Sequence, residues 1–217
     1  MSASMTFRIA QSRAEVLACQ YLVAEVYNKE YEVVFSDDGY DLDAKIEPWP
    51  HRYLMGYADG QLVAAAGLYL HNTYVERFGG VSRQEIQAVI ETAGGAPRYD
   101  AARKREITKV SVLPDKRGFG YGRMLLAAAH SRAFLQVDTP ADTPHVLVCC
   151  AKKTIWDGLW HRVGIRTRPI KEFPYYKVHE LYRSEEDPMD SRIIVPEIDI
   201  PARWYDRSLP GEYEIES

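Results

Sequence analysis

Cysteine is scarce in this chain of 217 residues, which has only Cys19, Cys149 and Cys150. An odd number, with two of the three adjacent, makes a poor disulfide framework and lacks the spacing of a zinc site. All three are therefore expected as buried thiols, and no metal is expected. Long apolar runs are also missing. No eighteen consecutive apolar residues occur, and the opening Met1-Ser2-Ala3-Ser4-Met5-Thr6-Phe7-Arg8 has no apolar stretch of signal-peptide length. A cytoplasmic protein without a membrane span is the expectation. No Gly/Ser-rich or Pro-rich linker, internal repeat or low-complexity tract divides the chain, so it reads as one core with at most an appended arm. The remaining composition, 46 % hydrophobic and 27 % charged, is that of an ordinary globular protein.

The net charge of −4 conceals an uneven distribution. Arg98, Arg103, Lys104, Arg105, Lys109, Lys116, Arg117, Arg123 and Arg132 crowd the middle, against Asp100, Glu106 and Asp115. From Ser184 onward the balance reverses, with Glu185, Glu186, Asp187, Asp190, Glu197, Asp199, Asp206, Glu212, Glu214 and Glu216. A basic middle points to an anionic ligand, and the acidic end argues against nucleic acid.

Periodicity supplies the elements. Val16, Leu17, Leu22, Val23, Val26 and Tyr27 recur at helical spacing from Ser12 to Glu30, with Ser12 as cap and Glu15 three residues on. The Asp-, Gly- and Pro-rich run from Phe35 to Pro50 reads as a loop. Residues 52–57 and 61–70 flank Asp59-Gly60 and predict an antiparallel hairpin. Ser82 and Glu85 open a short helix to Thr92, and Glu106 to Leu113 is a strand closed by Pro114. A helix from Gly120 to Val137, a strand from Val146 to Cys150, a helix from Thr154 to Arg162, and strands over 165–171 and 177–182 complete the order. An α/β architecture follows, a mixed central sheet flanked by helices over residues 1–183. Residues 184–217, punctuated by Pro188, Pro196, Pro201 and Pro210, read as an acidic C-terminal arm that Trp204 and Tyr205 hold against some surface, within the chain or on a second copy.

Between strand and helix lies Arg117-Gly118-Phe119-Gly120-Tyr121-Gly122-Arg123. Glycines there let backbone N–H groups at a helix start converge on an anion. A P-loop needs Lys and Ser/Thr after its last glycine, where Arg123-Met124 stands. A dinucleotide fingerprint needs its third glycine one residue later. The pattern R-x-x-G-x-G, met by Arg117, Gly120 and Gly122 after Val110-Ser111-Val112-Leu113-Pro114, resembles the acyl-CoA loop of the GCN5-related N-acetyltransferases (GNAT). Leu159-Trp160-His161-Arg162-Val163-Gly164-Ile165 resembles that family's later helix-to-strand junction. The resemblance covers roughly residues 50 to 182. It implies the GNAT-like fold and the binding of acetyl-CoA or a longer acyl-CoA by Val110, Val112, Arg117, Gly118, Phe119, Gly120, Tyr121, Gly122 and Arg123. It also implies that the strands on either side of the loop splay apart and that the thioester lies near Glu106 and Cys149.

Amine attack on a thioester needs a neutral amine, a polarised carbonyl and a stabilised oxyanion. Glu106 is the candidate base, and a salt bridge to a neighbouring cation is its structural alternative. Many family members place a protonating Tyr where Trp160 stands, which leaves His161, Tyr175, Tyr176 or water as the acid. Phe35, Asp41, Asp43, Tyr53-Leu54-Met55 and Glu106-Ile107-Thr108-Lys109 carry a weaker resemblance to acyl-homoserine-lactone synthases and N-acyl amino acid synthases, which implies acyl carrier protein as an alternative donor. The expected activity is N-acyl transfer to a primary amine of a small molecule or protein. Asp37, Asp38, Asp41 and Asp43 are candidates for holding the amine cation. A catalytically silent thioester-binding module and a nucleotide-binding regulator are the competing readings. A homodimer that exchanges the Trp204-Tyr205 tail is the oligomeric expectation.

Overall fold

The computed structural model describes residues 4–31, 50–70, 75, 80–93, 103–137, 144–173 and 183–210. The expected loop over 35–50, apart from Pro50, the strand over 177–182, Tyr175 and Tyr176 lie outside them, as do Asp37, Asp38, Asp41 and Asp43.

A seven-stranded mixed sheet forms the centre, in the order β1-β2-β3-β4-β5-β7-β6. Its strands are β1 (Thr6–Ile9), β2 (Arg52–Ala58), β3 (Gln61–Tyr69), β4 (Lys104–Val112), β5 (Val146–Lys152), β6 (Arg168–Glu172) and β7 (Met189–Ile194). The hairpin β2–β3 turns at Asp59 and Gly60 with φ of 51° and 76°. Both central residues in the left-handed region make this the turn whose twist matches antiparallel strands. The edge strand β1 was not expected, because four residues are too few to display a period.

Helices α1 (Arg13–Tyr31) and α2 (Arg83–Thr92) cover one face of the sheet. Each opens on the expected capping box. Ser12 Oγ accepts from Glu15 N at 3.3 Å while Glu15 Oε2 accepts from Ser12 N at 3.2 Å. Ser82 and Glu85 repeat the exchange at 3.2 and 2.6 Å. On this face Cys19, Val23 and Val26 pack with Tyr53, Met55 and Ala65, and Ile86 and Ile90 pack with Val146, Val148 and Ile193.

The opposite face carries α3 (Tyr121–Ala129), α4 (Arg132–Leu135) and a composite helix, α5. In α5 the α-turns Lys153–Ile155 and His161–Val163 flank a π-helical middle, Trp156–Trp160. Leu125, Leu126, Phe134, Trp156 and Trp160 bury against Leu54, Ala66, Ile107, Leu147 and Ile194. The single helix expected from Gly120 to Val137 is broken at His130 and Ser131. Ser131 Oγ accepts from Phe134 N at 3.3 Å, so a new cap outcompetes the continuing helix.

The stretch expected as an arm is instead part of the sheet. β7 lies between β5 and β6, pairing antiparallel with both from Leu147↔Ile194 to Lys152↔Met189 and from Arg168↔Ile193 to Glu172↔Asp190. Asp199, at the end of the short helix α6 (Pro196–Asp199), accepts a bidentate pair from Arg168 at 2.7 and 2.8 Å and a third bond from Val195 N at 3.0 Å. Beyond it, α7 (Ala202–Tyr205) places Trp204 and Tyr205 on the α3 side of the core, and Ile9 N reaches Pro210 O at 3.0 Å. The tail thus finds its apolar partners within its own chain. The acidic residues had suggested an arm, but two of them, Asp190 and Asp199, are buried and engaged with Arg192 and Arg168.

Candidate active site

The two edges of β4 differ. Toward β3 the ladder runs from Ala64↔Val112 to Tyr69↔Glu106, with two residues, Lys109 and Val110, opposite the single Ala66. That bulge holds Lys109 at a φ of 52° and bends the strand. Toward β5 only Lys104↔Val146 and Arg105↔Leu147 pair, in parallel. Past these the strands separate, and the backbone of β4 near Val110 and Val112 faces an open cleft of about 890 Å³.

At the mouth of the cleft the chain turns through Pro114–Lys116 into the glycine loop. Gly118 and Gly120 sit at φ of 86° and 84°, where a side chain is strained. Gly120 caps α3, and its carbonyl receives Arg123 N and Met124 N at 3.1 and 3.2 Å. Among the described residues the N–H groups from Gly118 to Gly122 donate to no backbone carbonyl. They form a donor cluster at a helix start, which suits a phosphate group. A Cβ on Gly122 would lie 3.9 Å from Val112 Cγ2 and 4.0 Å from Leu159 Cδ1, so a larger side chain there would project between the cleft walls.

Val110, Val112, Tyr121, Ile155, Gly158 and Leu159 line the cleft, together with Arg117, Arg123 and Arg162. The expected donor residues Val110, Val112, Arg117, Gly118, Gly120, Tyr121, Gly122 and Arg123 therefore meet at one site, and Phe119 stands just outside it, exposed, with its ring 5.8 Å from that of Tyr121. Arg117 does not offer a bare charge. Its guanidinium donates twice to Val112 O at 3.2 Å and pairs with Glu30 at the end of α1. Arg162 also lines the cleft and was not among the expected residues, although it stands in the junction motif.

Glu106 is almost fully buried on the α1 and α2 face and, like His161, is not among the residues that line the cleft. It accepts from Val75 N at 3.4 Å, and Cys150 Sγ donates to its Oε1 at 3.9 Å. Cys150 is thus its sulfur neighbour on β5. Cys149 faces the opposite core with Leu147 and Ile194, where burial pushes its thiol upward. Lys104, also buried, has its ammonium pushed down to about 8 by desolvation, against the opposing charge of Glu106. Trp160 lies in the core, its ring 4.5 Å from Trp156 and edge-on to His130 at 6.2 Å. His161 is exposed and does not line the cleft. The wall of α5 is anchored from a distance, since Asp187 accepts from Thr154 N at 3.0 Å and Thr154 Oγ1 at 2.6 Å.

A model of the acetyltransferase (GNAT) family matches residues 21–139. The chain belongs to this family. Among solved structures, the GNAT chain is similar to the AHL synthase LasI, with a TM-score of 0.61 at 14 % identity over 97 % of this chain and 99 % of that one. It is also similar to the CoA-dependent acyl-homoserine lactone synthase BjaI, solved with SAM and isopentyl-CoA, with a TM-score of 0.58 at 16 % identity over 97 % and 93 %. The acetyltransferase yncA of Salmonella typhimurium, solved with acetyl-CoA, gives 0.51 at 17 % over 88 % and 94 %. No curated protein matches. At these identities the structures establish the fold, and the family model establishes an acetyltransferase-type enzyme. Among the described residues no helix is long and apolar enough to cross a membrane, and no cluster of His, Cys, Asp and Glu suits a metal.

Proposed function

We propose that this enzyme moves an acyl group from an acyl-CoA thioester to a primary amine, with Glu106 as the base. The single observation that carries the reading is the parting of β4 from β5 after two residue pairs, directly beneath the glycine loop. Such an opening supplies an unpaired strand edge for the amides of a pantetheine arm. Val112, Ile155 and Leu159 supply apolar walls for it, and the loop N–H groups a seat for its pyrophosphate.

The chemistry then needs one proton removed from the acceptor's ammonium. The neutral amine adds to the thioester carbonyl, the tetrahedral intermediate expels the thiolate, and the nitrogen gives up its second proton to water as the amide forms. Glu106, behind the cleft lining, takes the ammonium proton through an intervening water. Burial excludes competing solvent, and the hydrogen bond from Val75 N holds the carboxylate in place. His161 is not proposed as the acid, because it stands outside the cleft. A thiolate is a tolerable leaving group and takes its proton from water.

The test is calorimetric titration with acetyl-CoA, a long-chain acyl-CoA and holo acyl carrier protein, followed by turnover with a panel of amines. Binding of a CoA thioester together with CoA release that requires an amine supports the proposal. Tight binding without release by any amine would favour a silent module, and binding of carrier protein alone would favour the synthase-like route.

A further inference from the structure

The cleft continues past Gly120 into a second hollow of about 360 Å³. The two share Gly120, Arg123 and Arg162, and the second adds Phe119, Arg203 and Trp204. Its charge is one-sided. Arg123, Arg162 and Arg203 line it without a carboxylate, and none of the three makes an ion pair among the described residues. Four other arginines are committed: Arg8 to Glu15, Arg117 to Glu30, Arg168 to Asp199 and Arg192 to Asp190. In a protein of net charge −4, three uncommitted guanidiniums around one concavity mark a place for an anion. The same hollow presents two aromatic side chains. Phe119 is 60 % exposed, and Trp204 carries Arg203 across its ring at 5.2 Å. Exposing a large ring on a glycine loop loses apolar burial unless a flat partner covers it.

We infer that this hollow is a subsite for the 3′-phosphoadenosine end of coenzyme A, with the phosphate held by Arg162 and Arg203 and the base laid against Phe119 or Trp204. The inference rests on the donor reading of the main cleft. A phosphopantetheine arm ends at its own phosphate when it is carried by a protein, and only coenzyme A extends beyond the loop into a concave, aromatic, cationic hollow. Arg203 and Trp204 belong to α7, outside the matched family segment 21–139, so the C-terminal chain completes the donor site and selects free coenzyme A over a carrier protein.

Calorimetry on the full chain with coenzyme A, dephospho-CoA, 4′-phosphopantetheine and holo acyl carrier protein decides the matter. Wild type is expected to bind coenzyme A at least about tenfold more tightly than dephospho-CoA, the size of one charge-assisted contact. The double variant Arg162→Ala/Arg203→Ala alters exposed residues. It is expected to erase the preference for coenzyme A over dephospho-CoA, and Phe119→Ala is expected to weaken coenzyme A but leave 4′-phosphopantetheine unchanged. Equal wild-type affinity for coenzyme A and dephospho-CoA overturns the subsite while leaving the cleft assignment intact. So does a preference that survives the double variant, or tighter binding of the carrier protein than of coenzyme A. Failure of all four ligands to bind overturns both readings together.

Discussion

One strand, two edges: β4 is laddered to β3 from Glu106 to Val112, yet pairs with β5 at only Lys104 and Arg105. The paired edge does what strands do in any sheet, satisfying the backbone and registering Ile107 against Leu68 in the core. The open edge leaves polar backbone exposed to a cleft, and buried backbone is costly when unpaired. Binding function and folding stability are thus separated across the width of a single strand. Substitutions on the two sides are expected to show different signatures.

The largest effect is expected from Glu106→Gln. The amide keeps the shape and can still accept from Val75 N, but it cannot take a proton. Turnover should fall by about 10²- to 10⁴-fold with donor affinity nearly unchanged. Steady-state kinetics together with calorimetry check this, and a variant retaining more than a tenth of wild-type kcat would remove Glu106 from the chemistry.

Asp199→Ala tests folding stability away from the cleft. It strips a fully buried carboxylate from two Arg168 contacts and from Val195 N. A loss of about 3 kcal/mol in denaturant unfolding is expected, with donor affinity intact in the folded protein. Gly120→Val/Gly122→Val should behave in the reverse sense. It forces a β-branched side chain into φ of 84° and inserts another between Val112 and Leu159, so donor affinity should fall on the order of a hundredfold with a smaller stability cost. If instead the loop variant unfolds and the Asp199 variant loses donor, the separation of donor binding from folding stability is wrong.

The same contrast explains what the sequence made legible. Gly118, Gly120 and Gly122 answer to a local demand, since a left-handed backbone or a clear cleft wall leaves few other choices, so the loop could be read from the chain alone. The two capping boxes are local for the same reason. β7 was illegible because its place between β5 and β6 depends on partners far away in sequence, and the charges that disguised it, Asp190 and Arg192, cancel each other only after folding. The break at Ser131 was hidden because apolar residues continue at helical spacing through it. The hollow that joins Arg162 to Arg203 was hidden by the forty residues between them.

His130 offers a smaller test, set in the core behind the cleft. Burial pushes its imidazole down to about 4, against the stabilising bond between Nδ1 and Leu126 O at 2.7 Å. The folded state therefore holds the ring neutral where an unfolded ring, titrating near 6.5, takes a proton. The stability this contributes is fully present above pH 6.5 and is lost as pH falls toward 4. Between pH 6.5 and 5 the expected loss is about 1.5 kcal/mol. The slope of wild type minus that of His130→Gln isolates it from the carboxylates that also titrate there, and parallel slopes would mean that the ring is hydrated.

The smallest expected effect belongs to the residue that the sequence singled out as a substitute acid. In α5 the π-helical turn from Trp156 to Trp160 widens the backbone spiral, so the helix faces differ from those an α-helical count assigns. Gly158 and Leu159 reach the cleft and Trp160 enters the core, while His161 emerges on the solvent side. An exposed side chain outside the cleft lining is poorly placed to protonate a thiolate within it. His161→Ala is therefore expected to change kcat by less than about twofold and to leave the pH profile of kcat unmoved. A tenfold loss, or the disappearance of a limb of the profile, would mean that α5 rewinds to a regular α-helix when donor binds and turns His161 toward the thioester.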